Sequence, residues 1–254
     1  MTTISVDPNG PLYDELAQSL ALDAQSAAIG EVAWNAVAIP GISAYETRII
    51  LSRNGINSAS DWVTNLGDTL KPDSLGDIAF VMEARAEMMR RDGHLVSTDH
   101  WLDELHRYLT ETDQPIAAHD SVDRICPNIV EVDGWIADAG LLPSGTVLRS
   151  VTGMQIARAV TVVRWGAQSG YGDRSAVRQG LLAARDLAGK HFADWAEFGT
   201  SVLAGLILHT SPADQKSRWD AELPTLTTLL TASDSPWRNL DFPLTHDFTG
   251  LADW

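Results

Sequence analysis

Residues 152–210 read TGMQIARAVTVVRWGAQSGYGDRSAVRQGLLAARDLAGKHFADWAEFGTSVLAGLILHT, and this stretch decides the fold. It is three helical patterns in succession, separated by glycines. In the first, Ile156, Ala159, Val160, Val163 and Ala167 fall on one face at the 3.6-residue spacing of an α-helix. The opposite face carries Arg158, Val162 and Trp165, so the helix is apolar on two sides and is expected at the centre, packed by several neighbours. Gly170 stops it, Asp173 can cap the next helix, and Leu181, Leu182, Ala184 and Leu187 follow. Beyond Gly189 a third stripe runs through Trp195, Phe198, Val202, Leu206 and His209. Gly199 and Gly205 share that stripe, where a missing side chain lets another helix come close.

The rest of the chain continues in the same vein. Helical patterns are read from Pro11 to about Ala28, from Ser43 to Asn54, and from Ser58 through Trp62, Leu66 and Leu70. A shorter piece from Glu31 ends at Pro40-Gly41, and Lys71-Pro72-Asp73 breaks the pattern before Ser74 opens a strong helix to Arg91. Ser97 or Thr98 caps the next, which bears Trp101, Leu105 and Leu109. Arg53-Asn54-Gly55 leading to Trp62 and Leu66 recurs as Arg91-Asp92-Gly93 leading to Trp101 and Leu105, a repeated αα-hairpin and not a solenoid of fixed period. Ile129–Val132 and Thr146–Leu148 are short enough to form a two-stranded β insert. The polar run Thr112–Asp120 is the expected seam between an acidic part, residues 1–115, and residues 116–254, the two forming one unit. Leu226, Leu229 and Leu230 continue a helix interrupted by Pro224, and the aromatic tail (Trp237, Phe242, Phe248, Trp254) is expected to strap across the helices. The predicted fold is all-α, an orthogonal bundle of αα-hairpins.

Several residues in this organising stretch resemble one bacterial family. The pattern R-A-V-x-x-V-R-W-G-x-x-x-G-Y from Arg158 to Tyr171, the run through Trp195, Gly199 and Gly205, and Ser235-Pro236-Trp237 are similar to the family catalogued as domain of unknown function 1266. The likeness covers about the last hundred residues. Family members place an acid three residues before the first Arg, where this chain has Gln155, so the pairing of Arg158 is expected to differ. The resemblance implies a helical fold and brings no established activity.

Composition narrows function by exclusion. The net charge is −16, with 19 acids and 7 bases in residues 1–120 against 15 and 11 in the remainder. Such a field repels nucleic acid and anionic membranes, both of which require Lys and Arg, and attracts a basic protein. The single cysteine, Cys126, excludes an internal disulfide and fits a reducing compartment, and the first ten residues lack a basic segment followed by an apolar one. A cytoplasmic protein is expected. There is no phosphate loop, no G-x-S-x-G elbow, no paired histidines at metal spacing and no Cys cluster, so no catalytic residue, metal or cofactor is assigned. Asp103 and His106 share a helix face and are expected to form a surface hydrogen bond, Cys126 a buried thiol, and His209 a satisfied core histidine.

Arg158 and Arg164 are the sharper case. A buried guanidinium needs a carboxylate, and Asp186, Asp194 or Glu197 could anchor Arg158. The functional version has Arg158, Arg164, Trp165, Tyr171 and Trp195 lining a pocket for a small anion. Three functions stand open on these residues. The first is a binding module such as an immunity or inhibitor protein that neutralises a basic toxin or nuclease. The second is an enzyme on a small anionic substrate, and the third a scaffold with Trp-rich grooves.

Overall fold

The structure is a computed structural model describing residues 3–39, 41–71 and 76–243. It is all-α, as the periodicity predicts. The first helices are α1 (Glu15–Ala21), α2 (Ala24–Ile29), α3 (Ala44–Arg53), α4 (Ala59–Thr69), α5 (Gly76–Asp92) and α6 (Thr98–Glu111). They are followed by α7 (Ile116–Asp138), α8 (Thr152–Ser169), α9 (Arg174–His191), α10 (Trp195–Leu208), α11 (Gln215–Thr231) and the single turn α12 (Pro236–Asn239). Among the described residues the β pairing is one isolated bridge between Ser5 and Ala33. Pro40, the Pro72-Asp73 break, the Ser74 helix start, and Phe248 and Trp254 lie outside the described residues.

The chain forms two compact units, and they do not divide at Thr112–Asp120. One comprises residues 1–71, 155–198 and 223–254, the other 72–154 and 199–222. The polar run is instead the short turn at residues 112–115 and the first residues of α7, which packs on α6 within the second unit. A polar seam in sequence marks any exposed turn, and here it joins two packed helices of one unit.

Local signals set the helix ends. Ser43 and Glu46 form a reciprocal capping box on α3, and Ser58, Ser97 and Asp173 each accept from a backbone N–H in the first turn of α4, α6 and α9. The expected β insert is absent. Ile129–Val132 lies inside α7, where Val122, Cys126, Ile129, Val132 and Ile136 are buried at helical spacing while Val130 is exposed. Residues 146–148 are irregular. A four-residue β-branched window was too short to show the longer period, and Pro127 did not end the helix. Pro224 likewise sits inside α11 without interrupting it. The first predicted helix is also shorter: it starts at Glu15, four residues after Pro11, and breaks at Leu22-Asp23.

In the first unit α8 is the buried spine. Ile156, Ala159, Val160 and Val163 are inaccessible to solvent, with Val162 on the other side also buried. Trp62 of α4 crosses it so closely that its indole N–H donates to the Val162 carbonyl at 2.9 Å. That approach exists because residue 166 is glycine, where a Cβ would stand 2.2 Å from the Trp62 ring. Gly166→Ala is therefore expected to lower stability by about 1–3 kcal/mol, the cost of overpacking a rigid contact; an unchanged thermal midpoint would show that Trp62 can move aside.

In the second unit the recurrence noticed in sequence repeats its role. Trp101 of α6, the counterpart of Trp62, is buried and donates to the Val81 carbonyl of α5 at 3.0 Å. Gly205 of α10 meets Met154, whose Cβ lies 2.6 Å from where a Cβ on residue 205 would be. This is the close approach that the glycine stripe predicts. His209, by contrast, is exposed at the end of α10 and bonds the Gly205 carbonyl through Nδ1 at 2.8 Å. It sits one turn beyond the buried part of the stripe, so it is not a core histidine.

Candidate functional site

The five residues proposed from sequence to line an anion pocket are placed as follows. Arg164 is 2% exposed, and its guanidinium donates to Asp23 Oδ2 and to the Ala33 carbonyl, both at 3.0 Å. Asp23 also accepts from the Thr161 hydroxyl at 2.9 Å. Burial pushes the Asp23 carboxyl above its usual range, opposed chiefly by the Arg164 charge. The pair explains why the helix breaks at Asp23: its carboxylate makes no cap on α2 and turns to Arg164 instead. Trp195 is buried against Trp237 in a parallel stack, 5.5 Å between ring centres, and its indole N–H donates to the Leu240 carbonyl. Tyr171 donates its hydroxyl to the Asn57 carbonyl at 2.9 Å and lies under Arg48, while Trp165 is half-buried.

Arg158 corrects the expectation most sharply. It is exposed and makes no ion pair among the described residues. The acids suggested for it have other roles: Asp186 meets Arg185, Asp194 caps α10, and Glu197 accepts from the Ala193 amide. The buried arginine is Arg164, six residues later. Both faces of α8 are apolar, so the pattern could not say which arginine points inward.

A second buried guanidinium escaped the sequence reading. Arg85 of α5 is 4% exposed, donates to Asp133 of α7 at 2.6 Å and to the Leu148 carbonyl at 2.7 Å, and lies over the Trp101 ring at 4.8 Å. The signal was present: Arg85 stands three and four residues after the buried Met82 and Val81, an interior position. Cys126 is buried as expected, and burial pushes its thiol up to about 12, which favours the neutral thiol over the reactive thiolate. His106 does not pair with Asp103. Its Nε2 bonds Asp123 and its Nδ1 bonds His119 Nδ1, each at 2.8 Å. No group of three or more metal-ligating side chains stands together among the described residues.

In the second unit, cavities flank α5 on both sides. On one side a cavity of about 410 Å3 lies between α5 and α6, with Phe80, Met88, Leu105 and Tyr108 as its apolar lining and Glu83, Glu87 and Glu104 at its edge. Phe80 and Tyr108 meet at a tilt, 5.7 Å between ring centres, and continue into a neighbouring cavity of about 270 Å3 that includes Asp77. The two arginines there are tied down locally. Arg107 bonds Glu104 and Glu111, holding Glu104 below the usual carboxylate range, and Arg91 bonds Asp92. Within the groove Tyr108 is 50% exposed. This second unit holds 18 acids and 8 bases, net −10, against 16 and 10, net −6, in the first.

No helix among the described residues is long and apolar enough to cross a membrane. No curated protein and no solved structure matches the chain. The model of one family, described as Protein of unknown function (DUF1266), matches residues 49–242, so the likeness read at the C-terminal end extends over most of the chain. The chain belongs to that family.

Proposed function

We propose that the chain is a protein-binding module of the immunity or inhibitor kind, whose α5–α6 groove receives a basic, partly apolar segment of a partner such as a cationic toxin or nuclease. The observation that carries this reading is the groove itself: an apolar floor with exposed Tyr108, edged by Glu83, Glu87 and Glu104 and by Arg91 and Arg107, both held in local ion pairs, in a unit of net charge −10. Interfaces draw their energy from buried aromatic anchors and their selectivity and association rate from complementary charge. Acid alone keeps a protein in solution; acid around an exposed aromatic groove fits a partner. The Arg-lined enzyme pocket has less support, because Arg164 and Trp195 are buried in internal contacts.

The test is a labelled amphipathic helix peptide of leucine and lysine, titrated by fluorescence anisotropy beside its leucine–glutamate mirror. The basic peptide is expected to bind and the acidic one not. Tyr108→Ala should weaken binding by about tenfold or more, the loss usual for an aromatic anchor. The double change Glu83→Lys, Glu87→Lys should weaken it further; all three positions are exposed, so the variants should fold. Equal binding of both peptides, or none of either, would sink the proposal.

A further inference from the structure

The opposite flank of α5 carries a second groove of reversed character. Its helical spacing puts Met82, Ala86, Met89 and Arg90 on one side and Phe80, Glu83, Glu87 and Arg91 on the other. On the Met82 side a cavity of about 380 Å3 is bounded by α5 and the segment at Leu148-Arg149. No carboxylate lines it, and three arginines do: Arg85, Arg90 and Arg149. An adjoining cavity of about 380 Å3 shares Met89 and Arg149, adds His94, Leu95 and Val147, and again has no carboxylate. In a unit carrying 18 acids, the charged side chains lining these two adjoining cavities are all arginines; Arg85 and Arg90 are ion-paired from outside the lining, which leaves Arg149 as the unpaired charge among the described residues.

We propose that this groove is a binding site for a small organic anion with a flexible apolar body, a medium-chain carboxylate. The roles follow from burial and pairing. Arg85 is wall and not anchor, since Asp133 and the Leu148 carbonyl hold it from behind and Trp101 lies beneath it. Arg149 is the anchor. It is exposed, stands where the two cavities meet, and makes no ion pair among the described residues. Arg90, though bonded to Glu87 on its own helix, adds positive charge beside it.

The floor selects the rest of the ligand. Met82 and Leu148 are buried and Met89 is half-buried, and unbranched thioether side chains fit themselves to an alkyl chain. A bare phosphate would leave that floor unused, a cation would be repelled by Arg149, and an alcohol would gain no ion pair with it. The volume lies in the range of about 300–1,000 Å3 common to small-ligand clefts. This site uses the other side of α5 from the peptide groove proposed above; the Glu87–Arg90 ion pair links the two edges, and Arg149, the anchor, belongs to this side alone.

The experiment is calorimetric titration of the full chain with decanoate, beside decanol, inorganic phosphate and decyltrimethylammonium. Decanoate is expected to bind saturably at one site, and the three controls at least about tenfold more weakly, the share of one charge-assisted contact. Arg149→Glu, at an exposed position, should keep the wild-type melt and lose decanoate binding by more than about tenfold. Methyl resonances of Met82 and Met89 should shift with decanoate in the wild type. No saturable decanoate binding, decanol or phosphate binding as well as decanoate, an unaffected Arg149→Glu protein, or unmoved Met82 and Met89 methyls would each overturn the proposal.

Discussion

Replacing Arg164 by methionine is expected to lower stability by about 3–5 kcal/mol, the usual cost of breaking a buried ion pair from one side. Asp23 would be left nearly inaccessible, keeping the Thr161 hydroxyl but losing its cation, and the Ala33 carbonyl would keep only the Ala36 N–H of its two donors. Arg158→Met, on the same helix but exposed, should stay within about 0.5 kcal/mol of wild type, as surface changes do. Chemical denaturation of the two variants checks the contrast. Adding Asp23→Asn to Arg164→Met should recover part of the loss, because the uncompensated buried charge is then gone. Equal effects at 158 and 164 would mean that Arg164 is not the structural arginine.

Trp237→Ala is expected to cost about 3–5 kcal/mol, the range for deleting a buried large aromatic. Trp237 stacks on Trp195, meets Phe198 edge-on at 6.1 Å, and donates its indole N–H to the Ala21 carbonyl at 2.8 Å. The residues around it tie the tail down in the same way: Trp195 donates to Leu240, and Phe242 packs edge-on against the Trp195 ring at 4.9 Å. Truncation after Ala232 should therefore destabilise the chain at least as much as the point change. Trp237→Phe keeps most of the ring and loses the hydrogen bond, so it should cost clearly less. A truncated protein melting at the wild-type temperature would make the tail a free appendage.

These two sites show what sequence could and could not tell. The tail was legible because aromatic residues without periodicity need a surface to cover, and the described part up to Pro243 is held against one. The helices were legible where period and cap agree, as at Ser58 with Trp62 or Asp173 with Val177. The failures share a cause. Arg164 and Arg158 sit on a helix whose two faces are both apolar, so the pattern could not orient either one. Asp23 looked like a mid-helix acid because its partner lies 141 residues away. Ile129–Val132 looked like a strand because four residues hold too little of a helical period. The α5 grooves were not legible: Glu83, Arg85, Glu87 and Arg90 alternate in sequence, but which flank each takes is set by the helix and the elements packed against it.

The salt dependence of peptide binding bears most directly on the proposed function. Titrating the basic amphipathic peptide into the wild-type chain at rising sodium chloride should give an affinity that falls steadily, since exposed charge pairs are screened within about 10 Å at 0.1 M salt. The Glu83→Lys, Glu87→Lys protein should bind weakly at low salt and show a flatter slope, converging on the wild type as salt rises. Binding that is indifferent to salt, or a charge-reversed protein with the wild-type slope, would contradict recognition of a basic partner at the α5–α6 groove.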